Sequence, residues 1–331
     1  MRYPQLRNVA RLGWSATLAT AVAIMPMMAS AQQAANYPER SITMVVPFGP
    51  GSVTDLLARI VAKGIGDDLG QSVVVHNKAG AGGNIGAAEV ANAAPDGYTL
   101  LVGPTSTNAV NPTLFKNIKF GLDDFAPISN IATVPNVLVV HPDVPATTVA
   151  EFIELSKKRQ LSYASTGNGG SMHLSGELFQ SMSGADLMHV PYKGGGAALA
   201  DLLPGRVDAM FCNLPLCLPH IESGKLRALG VTSRQASSLL PDVAPIAENG
   251  LPGYEVTGWF GLFAPAKVDP AIIDKLNASL MKTLNDEGIK QQLLAQGAET
   301  DGSSPAEFDQ FVRAEHDKWA RVIKEAGISI E

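Results

Sequence analysis

The residues of this chain best suited to chemistry are small polar residues and glycines that follow apolar runs. In the segment VVPFGPGSVTDLLAR (45–59), a run of β-branched residues ends at Pro47, a Pro/Gly turn follows, and apolar residues then recur at helical spacing. Ser52 and Asp55 are placed as an N-terminal capping pair. The unpaired backbone N–H groups of such a junction, at the positive end of a helix dipole, can bind a small anion.

Three further loops repeat this order of strand, loop and helix. They are the glycine-rich loop 80–86, the polar loop from Thr105 to Asn111, and the loop from Ser165 to Ser171. Their hydroxyl and amide groups suit carboxylate oxygens or ordered water. Ile85 occupies the third glycine position of the dinucleotide pattern, and no Walker sequence is present, so nucleotide binding is not expected. The set predicts one shared site for a small anion, with ordinary tight turns before helices as the alternative for any single loop.

A catalytic or metal site is not indicated. Ser171 is followed by Met172 and His173, which does not match a nucleophile elbow, and Ser171 and His173 fit a helix N-cap and its first turn. The six histidines show no metal-ligand spacing. We therefore expect no enzyme activity, no metal and no cofactor. An exported hydrolase or lyase that uses Ser171 and His173 is the alternative hypothesis.

The first 31 residues have the pattern of a secretory signal. Three arginines within the first eleven residues precede an apolar segment from Leu12 to Met25. Ala29-Ser30-Ala31 then fits the small-x-small cleavage rule. A membrane anchor is the competing interpretation, but the apolar run is short for a spanning helix. We expect export by the general route, with cleavage after Ala31.

The mature chain is expected to be acidic. Residues 1–31 carry three of the 25 basic residues and none of the 31 acidic ones, which leaves 22 basic against 31 acidic residues and a net charge of −9. This charge argues against nucleic acid and anionic membrane surfaces as partners. Cys212 and Cys217 are the only two cysteines. Two buried free thiols are the simpler expectation, and a local disulfide is the alternative that export permits.

The order of predicted elements indicates an α/β protein with mainly parallel sheets. Apolar β-branched runs alternate with segments of helical spacing from residue 41 onward, and Asn136 to His141 is one of the predicted strands. The segment from about 140 to 255 carries its own β/α units, and the C-terminal helices are expected to return to the first domain. Ligands of such sheets bind beyond the carboxyl ends of the strands, so two facing domains would enclose a cleft.

Taken in order, eight segments resemble the receptors of tripartite tricarboxylate transporters, the Bug family of extracytoplasmic solute receptors. The resemblance covers essentially the whole mature chain, and the joint order of the segments is what makes it specific. The segments are Tyr37-Pro38, VPFGPGSVTDLLAR (46–59), HNKAGAGGNIGA (76–87), PDGYTLL (95–101), ASTGNGGSMHLSGELF (164–179), HVPYKGGGAALADLLPGRVD (189–208), LRALGVTS (226–233) and GWFGLFAPA (258–266).

The resemblance implies a periplasmic two-domain binding protein of type II, a Venus flytrap with its ligand cleft between the domains. Domain 1 would comprise 37–138 and 256–331, and domain 2 would comprise 139–255, with crossing strands near 132–141 and 254–264. The family binds a small carboxylate, such as a di- or tricarboxylate or an aromatic acid, and delivers it to membrane permease subunits. A monomer is expected. A sensor kinase is the alternative partner, and a receptor-like scaffold that binds a partner but no solute is a further hypothesis.

In this family the carboxylate is held largely by backbone amides, small polar side chains and bridging water. Carried over by position, this implies ligand contacts in the four loops and at one tyrosine. The implied residues are Phe48, Gly49, Gly51, Ser52, Thr54, Asp55, Ala81, Gly82, Ser106, Thr107, Asn108, Ser165, Gly167, Asn168, Gly169, Ser171 and Tyr192. Trp259 is implied more weakly as a wall of the cleft.

Three positions depart from the pattern of the family. Ser52 stands where a second glycine is usual, so its hydroxyl would contact the ligand or narrow the pocket. His76 stands where an acidic residue is common. Cys212 stands where an aspartate often precedes Asn213. If that aspartate contacts an amino group of the ligand, an amino acid is a less suitable ligand for this chain.

Overall fold

The computed structural model describes Met1, residues 36–192 and residues 194–325. The predicted signal segment and its cleavage after Ala31 lie outside the described residues, apart from Met1, as does Lys193. Strands and helices alternate along the described chain, as the sequence predicts. Within this part of the chain, no helix combines the length and the apolar composition that crossing a bilayer requires.

The described residues form one mixed sheet with helices packed on it. The strands are β1 (Ile42–Val46), β2 (Val73–Asn77), β3 (Thr99–Pro104), β4 (Phe125–Val140), β5 (Leu161–Ser165), β6 (Leu187–Pro191), β7 (Ala209–Asn213), β8 (Arg227–Val231), β9 (Thr257–Pro265) and β10 (Glu299–Thr300). The helices are α1 (Val53–Leu69), α2 (Asn84–Ala91), α3 (Asn111–Leu114), α4 (Val149–Lys158), α5 (Ser171–Ser183), α6 (Gly195–Leu202), α7 (Leu214–Glu222), α8 (Pro270–Asn285), α9 (Glu287–Leu294) and α10 (Pro305–Glu325). Ala81–Gly83 and Leu122–Asp124 are short 3-10 turns, and Ser106–Val110 is a π-helical turn.

The sheet has the strand order β2-β1-β3-β9-β4-β7-β5-β6, and β8 and β10 pair with β4. Strand β1 is parallel to both β2 and β3, and β5 is parallel to both β6 and β7. Antiparallel pairing is confined to the partners of β4 and to the pair of β3 and β9. Each of the parallel strands β1, β2, β3, β5, β6 and β7 is followed by helical structure, as expected for βαβ connections.

The long strand β4 joins the two halves of the sheet. From Phe125 to Pro135 it pairs with β9, and from Asn136 to Val140 it pairs with β7 and β8. We call β1, β2, β3, β9, β10 and 125–135 the first half, and β5 to β8 with 136–140 the second half. The sequence predicted a strand only from Asn136, because two prolines and several polar residues obscure the earlier part. Two register shifts against β9 accommodate that part.

The change of partners along β4 is anchored by Asn136, which is fully buried. Its Nδ2 donates to Ser175 Oγ (3.1 Å), and its Oδ1 accepts from Asn213 Nδ2 (2.7 Å). Its backbone N–H donates to Thr232 Oγ1 (2.9 Å), and Val256 N–H donates to Thr232 O (2.9 Å). These bonds satisfy the buried amide and tie β4, β7 and α5 to the segment that returns to β9.

Apolar clusters fill the space between the sheet and its helices. In the first half, Leu57 and Val61 of α1 and Leu276 of α8 pack onto the sheet at helical spacing. Helix α10 adds Phe308 and Trp319, both fully buried, to the cluster that reaches the second half. Burial of each large apolar side chain stabilises the fold by roughly 1.5–3 kcal/mol. Helices α8 and α10 therefore pack against the sheet, and the assignment of the C-terminal helices to the first domain stays a prediction.

Cys212 and Cys217 form a disulfide, with 6.2 Å between their Cα atoms. This corrects our expectation of two free thiols. Strand β7 ends at Asn213 and helix α7 begins at Leu214, so the first helical turn brings Cys217 back beside Cys212. The crosslink fixes the start of α7, where Pro215 contacts Gly297 of the turn before β10.

Replacing both cysteines by serine (Cys212→Ser/Cys217→Ser) is expected to lower the free energy of unfolding by about 2 kcal/mol, because the closed loop is short. Urea unfolding of the wild type and the double variant measures the difference. A reductant should destabilise the wild type by the same amount and leave the double variant unchanged. Equal stability of the two proteins without reductant would contradict a stabilising crosslink.

Candidate ligand-binding site

The loops that follow β1, β2 and β3 lie at one edge of the first half. Parallel pairing places the carboxyl ends of these neighbouring strands together. Asn77, the last residue of β2, ties the loop after β1 to the neighbouring strand. Its Nδ2 donates to Phe48 O (3.0 Å) and to Asp55 Oδ1 (2.9 Å). The loop from Phe48 to Asp55 is therefore held from both ends by the neighbouring strand.

Asp55 organises this loop from within. Gly51 N–H donates to its Oδ2 (2.9 Å), Arg59 Nη2 lies 2.9 Å from its Oδ1, and the Ser52 hydroxyl caps helix α1 by accepting from Asp55 N–H (3.2 Å). Burial alone would raise the pKa of the Asp55 carboxyl, but hydrogen bonds from Arg59, Gly51 and Asn77 outweigh it and hold the pKa below its usual value. Both carboxylate oxygens have partners, so Asp55 shapes the loop.

The loop after β2 contains strained backbone. Ala81 has a φ of 48°, the one positive φ at a non-glycine residue in the described chain. Such conformations cost about 1–3 kcal/mol and cluster at functional sites. Asn111 Nδ2 donates to Gly82 O (3.0 Å), and a Cβ atom on Gly83 would lie 2.6 Å from Thr107 Cγ2. Ala81 and Gly82 are therefore exposed on a turn that rests on the loop after β3.

The predicted polar loop after β3 is a π-helical turn, Ser106–Val110. This turn points two of the three expected contact residues inward. Thr107 Oγ1 lies 2.6 Å from Asn108 Oδ1 and 3.2 Å from Pro104 O, and both side chains are buried. Ser106 is the one partly exposed residue of the three. Thr54 on α1 is likewise buried.

In the second half, the corresponding loop runs from Ser165, at the end of β5, to Ser171, at the start of α5. Gly167 N–H donates to Ser165 Oγ (3.1 Å), and Tyr192 N–H donates to Ser165 O (2.9 Å). The Tyr192 hydroxyl donates to Asp201 Oδ2 (2.9 Å), so the phenol is engaged within the second half. Thr166 and Asn168 are exposed at the tip of the loop.

The loops of the two halves meet at Gly169. Its φ of +78° is left-handed, and a Cβ atom there would lie 2.6 Å from Leu114 Cδ2 and 4.0 Å from Val110 Cγ1. Val110 ends the π-helical turn, and Leu114 ends α3, the helix that follows it. Ser171 approaches β9, since a Cβ on Gly258 would lie 3.6 Å from its Oγ. The loop after β5 therefore lies against the segment that follows β3 and against β9.

A buried polar cluster behind this loop was missed by the sequence analysis. It contains Tyr163, His173, Glu177 and His189. Burial lowers the pKa of His189 to about 4, and His173 acts in the same direction. Burial would raise the pKa of Glu177, but hydrogen bonds from His173 and Tyr163 hold it below its usual value. The i,i+4 spacing of His173 and Glu177 was the only local signal of this cluster.

Trp259 does not form a wall of the site. Its ring is fully buried against Phe308 and Phe311, and its Nε1–H donates to Glu315 Oε2 (3.2 Å). The same oxygen accepts from Trp319 Nε1 (3.0 Å). Trp259 therefore belongs to the contact between the sheet and α10, which corrects the weaker expectation for this residue.

The site offers backbone amides and hydroxyls at helix starts. Helices α1, α5, α6 and α7 begin at the loops after β1, β5, β6 and β7. Their N-terminal ends create a positive potential that favours an anion without a bound cation. Among the residues that the structure describes, no group of three or more His, Cys, Asp or Glu side chains could hold a metal ion.

Asp55→Asn is expected to lower the free energy of unfolding at pH 7 by about 1–3 kcal/mol, because it weakens several charge-assisted hydrogen bonds. The depressed folded-state pKa means that the carboxylate stabilises the protein above about pH 4, and that this contribution is lost as pH falls through the folded pKa. In urea unfolding between pH 3 and pH 7, the free energy of unfolding of the variant should therefore fall less steeply as the pH decreases.

Asp67→Asn is the matched control, since Asp67 lies on the same helix but forms an exposed ion pair with Lys63. Its effect should stay within about 0.5 kcal/mol. An Asp55→Asn variant that behaves like this control would show that the loop does not depend on the carboxylate.

Comparison with known proteins identifies the family. The model of the tripartite tricarboxylate transporter family receptor, TctC, matches residues 57–328. Protein BugT of Bordetella pertussis is 40% identical over 308 residues, covering 92% of this chain and 94% of that protein. A UPF0065 protein from the tcbD-tcbE intergenic region of a Pseudomonas species is 36% identical over 326 residues, covering 97% of this chain and 96% of its relative.

Solved structures of similar sequence share the fold. Rpa4515 of R. palustris with adipate is 38% identical with a TM-score of 0.78, covering 89% of this chain and 99% of that one. MatC (Rpa3494) of Rhodopseudomonas palustris with bound malate is 32% identical with a TM-score of 0.74, covering 87% of this chain and 100% of that one. The periplasmic binding protein BugD is 36% identical with a TM-score of 0.75, covering 89% of this chain and 100% of that one. These likenesses confirm the predicted fold class, a two-domain α/β periplasmic binding protein, and the chain belongs to the receptor family of tripartite tricarboxylate transporters.

Proposed function

We propose that this chain is a periplasmic receptor that binds a small carboxylate between the two halves of its sheet and delivers it to the permease subunits of a tripartite tricarboxylate transporter. The observation that carries this proposal is the meeting of the loops at Gly169, which lies against Leu114 of the other half. A ligand placed there is within reach of amides and hydroxyls from both halves. Adipate and malate in the similar R. palustris structures support a carboxylate.

Exposed and partly exposed loop positions are the proposed direct donors. Backbone amides of Gly49, Ala81 and Gly82 would serve from the first half, with the hydroxyl of Ser106. Asn168 and Ser171 would serve from the second half. The buried residues Thr54, Asp55, Thr107, Asn108 and Ser165 would support these loops from behind, and Phe48, Gly51, Ser52, Gly167, Gly169 and Tyr192 would define their shape.

The negative net charge of the chain does not prevent the binding of an anionic ligand. A net charge of −9 for residues 32–331 opposes anions at long range, but the Debye length at physiological ionic strength is only about 8 Å. Within the site, the helix starts and backbone amides dominate the potential. Binding through fixed dipoles also avoids the desolvation cost of a buried cationic side chain.

We infer that the chain is a receptor and not an enzyme. His173 Nδ1 accepts from Gly169 N–H (3.1 Å), and its Nε2 faces Glu177 Oε1 at 3.5 Å. Both ring nitrogens thus have partners other than the Ser171 hydroxyl, which disfavours the Ser171 and His173 hydrolase. Ser165 Oγ does contact His189 Nε2 at 2.6 Å, but Ser165 is fully buried.

The remaining assignments follow the family. We propose a monomer in the periplasm, exported by the general route and cleaved after Ala31, with domain limits at 37–138 plus 256–331 and at 139–255. The change of partners at Asn136 and the bond of Val256 to Thr232 support these limits. A sensor kinase in place of the permease is the alternative partner.

Calorimetric titration of the mature protein, stripped of any co-purified ligand, with malate and adipate tests the proposal. At least one acid should bind with a Kd in the micromolar range or tighter, and 100 Kd of ligand should stabilise the protein by about 2.7 kcal/mol. The dimethyl ester of that acid should bind at least 100-fold more weakly. An absence of heat and of thermal shift with these and other small organic acids would refute the proposal.

Gly169→Ala should weaken that binding at least tenfold, because the new methyl group would lie 2.6 Å from Leu114 Cδ2 and keep the two halves apart. Gly184→Ala is the matched control. Gly184 also has a left-handed φ, +67°, but no atom lies within 4 Å of the position that a Cβ would take there. Both variants carry the same backbone strain of about 1 kcal/mol. Equal binding by the two variants would show that this contact does not govern affinity.

A further inference from the structure

Two imidazoles lie behind the loop that meets the first half. The ring centroids of His173 and His189 are 4.1 Å apart, and His189 also stacks on Tyr163 at 4.9 Å. His173 projects from the first turn of α5, and His189 projects from β6, whose register pairs it with Tyr163 of β5. His173 is buried and His189 is partly buried. The pair therefore forms part of the support of the loop.

Each imidazole is bonded to one part of the loop 165–169. His173 Nδ1 accepts the N–H of Gly169 (3.1 Å). His189 Nε2 lies 2.6 Å from Ser165 Oγ, which itself accepts the N–H of Gly167 (3.1 Å). Gly169 is the residue that contacts Leu114 of the first half. The two rings thus fix the beginning and the end of the turn that closes against the other half.

We propose that His173 is a positioning residue for solute binding, which fixes Gly169 through the Nδ1 acceptor and can do so only while its ring is neutral. This inference rests on the proposed function. The affinity for a carboxylate is therefore expected to fall as the medium becomes acidic. His173 touches no ligand in this role and acts through the position of the loop.

The direction of the pH effect follows from the hydrogen-bond donors. Because Gly169 N–H points at Nδ1, the neutral ring carries its proton on Nε2, which faces Glu177 Oε1 at 3.5 Å. A second proton could be added only at Nδ1, where it would meet the N–H of Gly169. Two donors cannot share a hydrogen bond, so protonation of the ring must displace Gly169.

The neighbouring titratable groups do not remove this conflict. Glu177 on α5 lies beside His173, Tyr163 on β5 stacks on His189, and Tyr254 before β9 acts on Tyr163. Tyr163 donates to Glu177 Oε1 (2.8 Å), and Tyr254 donates to Ser175 O (2.9 Å). Glu177 attracts a positive charge on His173, but from the Nε2 side, which already carries the proton. It therefore favours protonation without offering Nδ1 an acceptor.

His173→Asn and His173→Phe separate the acceptor from the packing. Asparagine places Oδ1 near the position of Nδ1 and does not titrate, whereas phenylalanine keeps a ring against His189 and has no acceptor. With malate or adipate as the probe, the wild type should bind more weakly at pH 5.5 than at pH 7.5, because an added proton at Nδ1 would displace the N–H of Gly169. His173→Asn should bind with nearly equal affinity at both values, and His173→Phe should be about tenfold weaker at pH 7.5.

His76→Asn is the matched control, since His76 is exposed on β2 in the other half, and it should retain the pH dependence of the wild type. Protonation of the acid itself affects all variants alike, so the difference between wild type and His173→Asn isolates the ring. Calorimetry at pH 6 in buffers of different ionisation enthalpy should show proton release on binding by the wild type and less by His173→Asn. A pH slope or a proton release that His173→Asn leaves unchanged would overturn the proposal.

A measurement without ligand distinguishes this inference from the proposed function. In the ligand-free protein, the ¹⁵N shifts of the His173 ring should report the Nε2–H tautomer at pH 7.5, and the Gly169 amide resonance should move as the pH falls to 5.5. If these changes occur but no acid binds, the proposed function fails and the role of His173 in the loop holds. A Gly169 amide that does not respond to pH contradicts the inference, even if a carboxylate binds.

Discussion

The structure depends on one strand that belongs to both halves of its sheet. Strand β4 exchanges β9 for β7 and β8 at Asn136, and the buried amide of this residue bonds to Ser175 and Asn213. An unpaired amide in this position would carry a desolvation penalty of about 1–3 kcal/mol, so separating the bonded groups would be costly. The junction between the two halves is therefore held by a fully satisfied polar cluster.

This junction sets the position of the loops on either side of it. Each loop is held in shape by a charged or polar group placed behind it: Asp55 behind the first loop, Asn111 behind the second and His173 behind the third. The groups in front are backbone amides and small hydroxyls. In the proposed site, this division leaves ligand binding to dipoles whose orientation is fixed before the ligand arrives, which reduces the ordering cost of binding. A small carboxylate is the ligand that we propose for this arrangement.

The sequence predicted the features that depend on nearby residues. The Ser52 cap, the order of strands and helices and the glycine turns all follow from short-range rules, and the structure contains them. Features that depend on pairing between distant segments were missed. The stack of His173 on His189 requires the parallel register of β5 and β6, and the bonds from Asn77 to the first loop require that of β1 and β2. The prolines of β4 hid its first part, and the inward turn of Thr107 and Asn108 depends on a π-helical geometry that no composition rule signals.

The disulfide at the start of α7 has a consequence for where the protein can mature. Thiols pair in oxidising compartments and stay reduced in the cytosol. Pro215 of the crosslinked turn contacts Gly297, which belongs to the first half. Reduction of the disulfide would therefore affect a contact between the two halves. In a reducing compartment the start of α7 would lack this crosslink, and its contact with Gly297 would depend on packing alone.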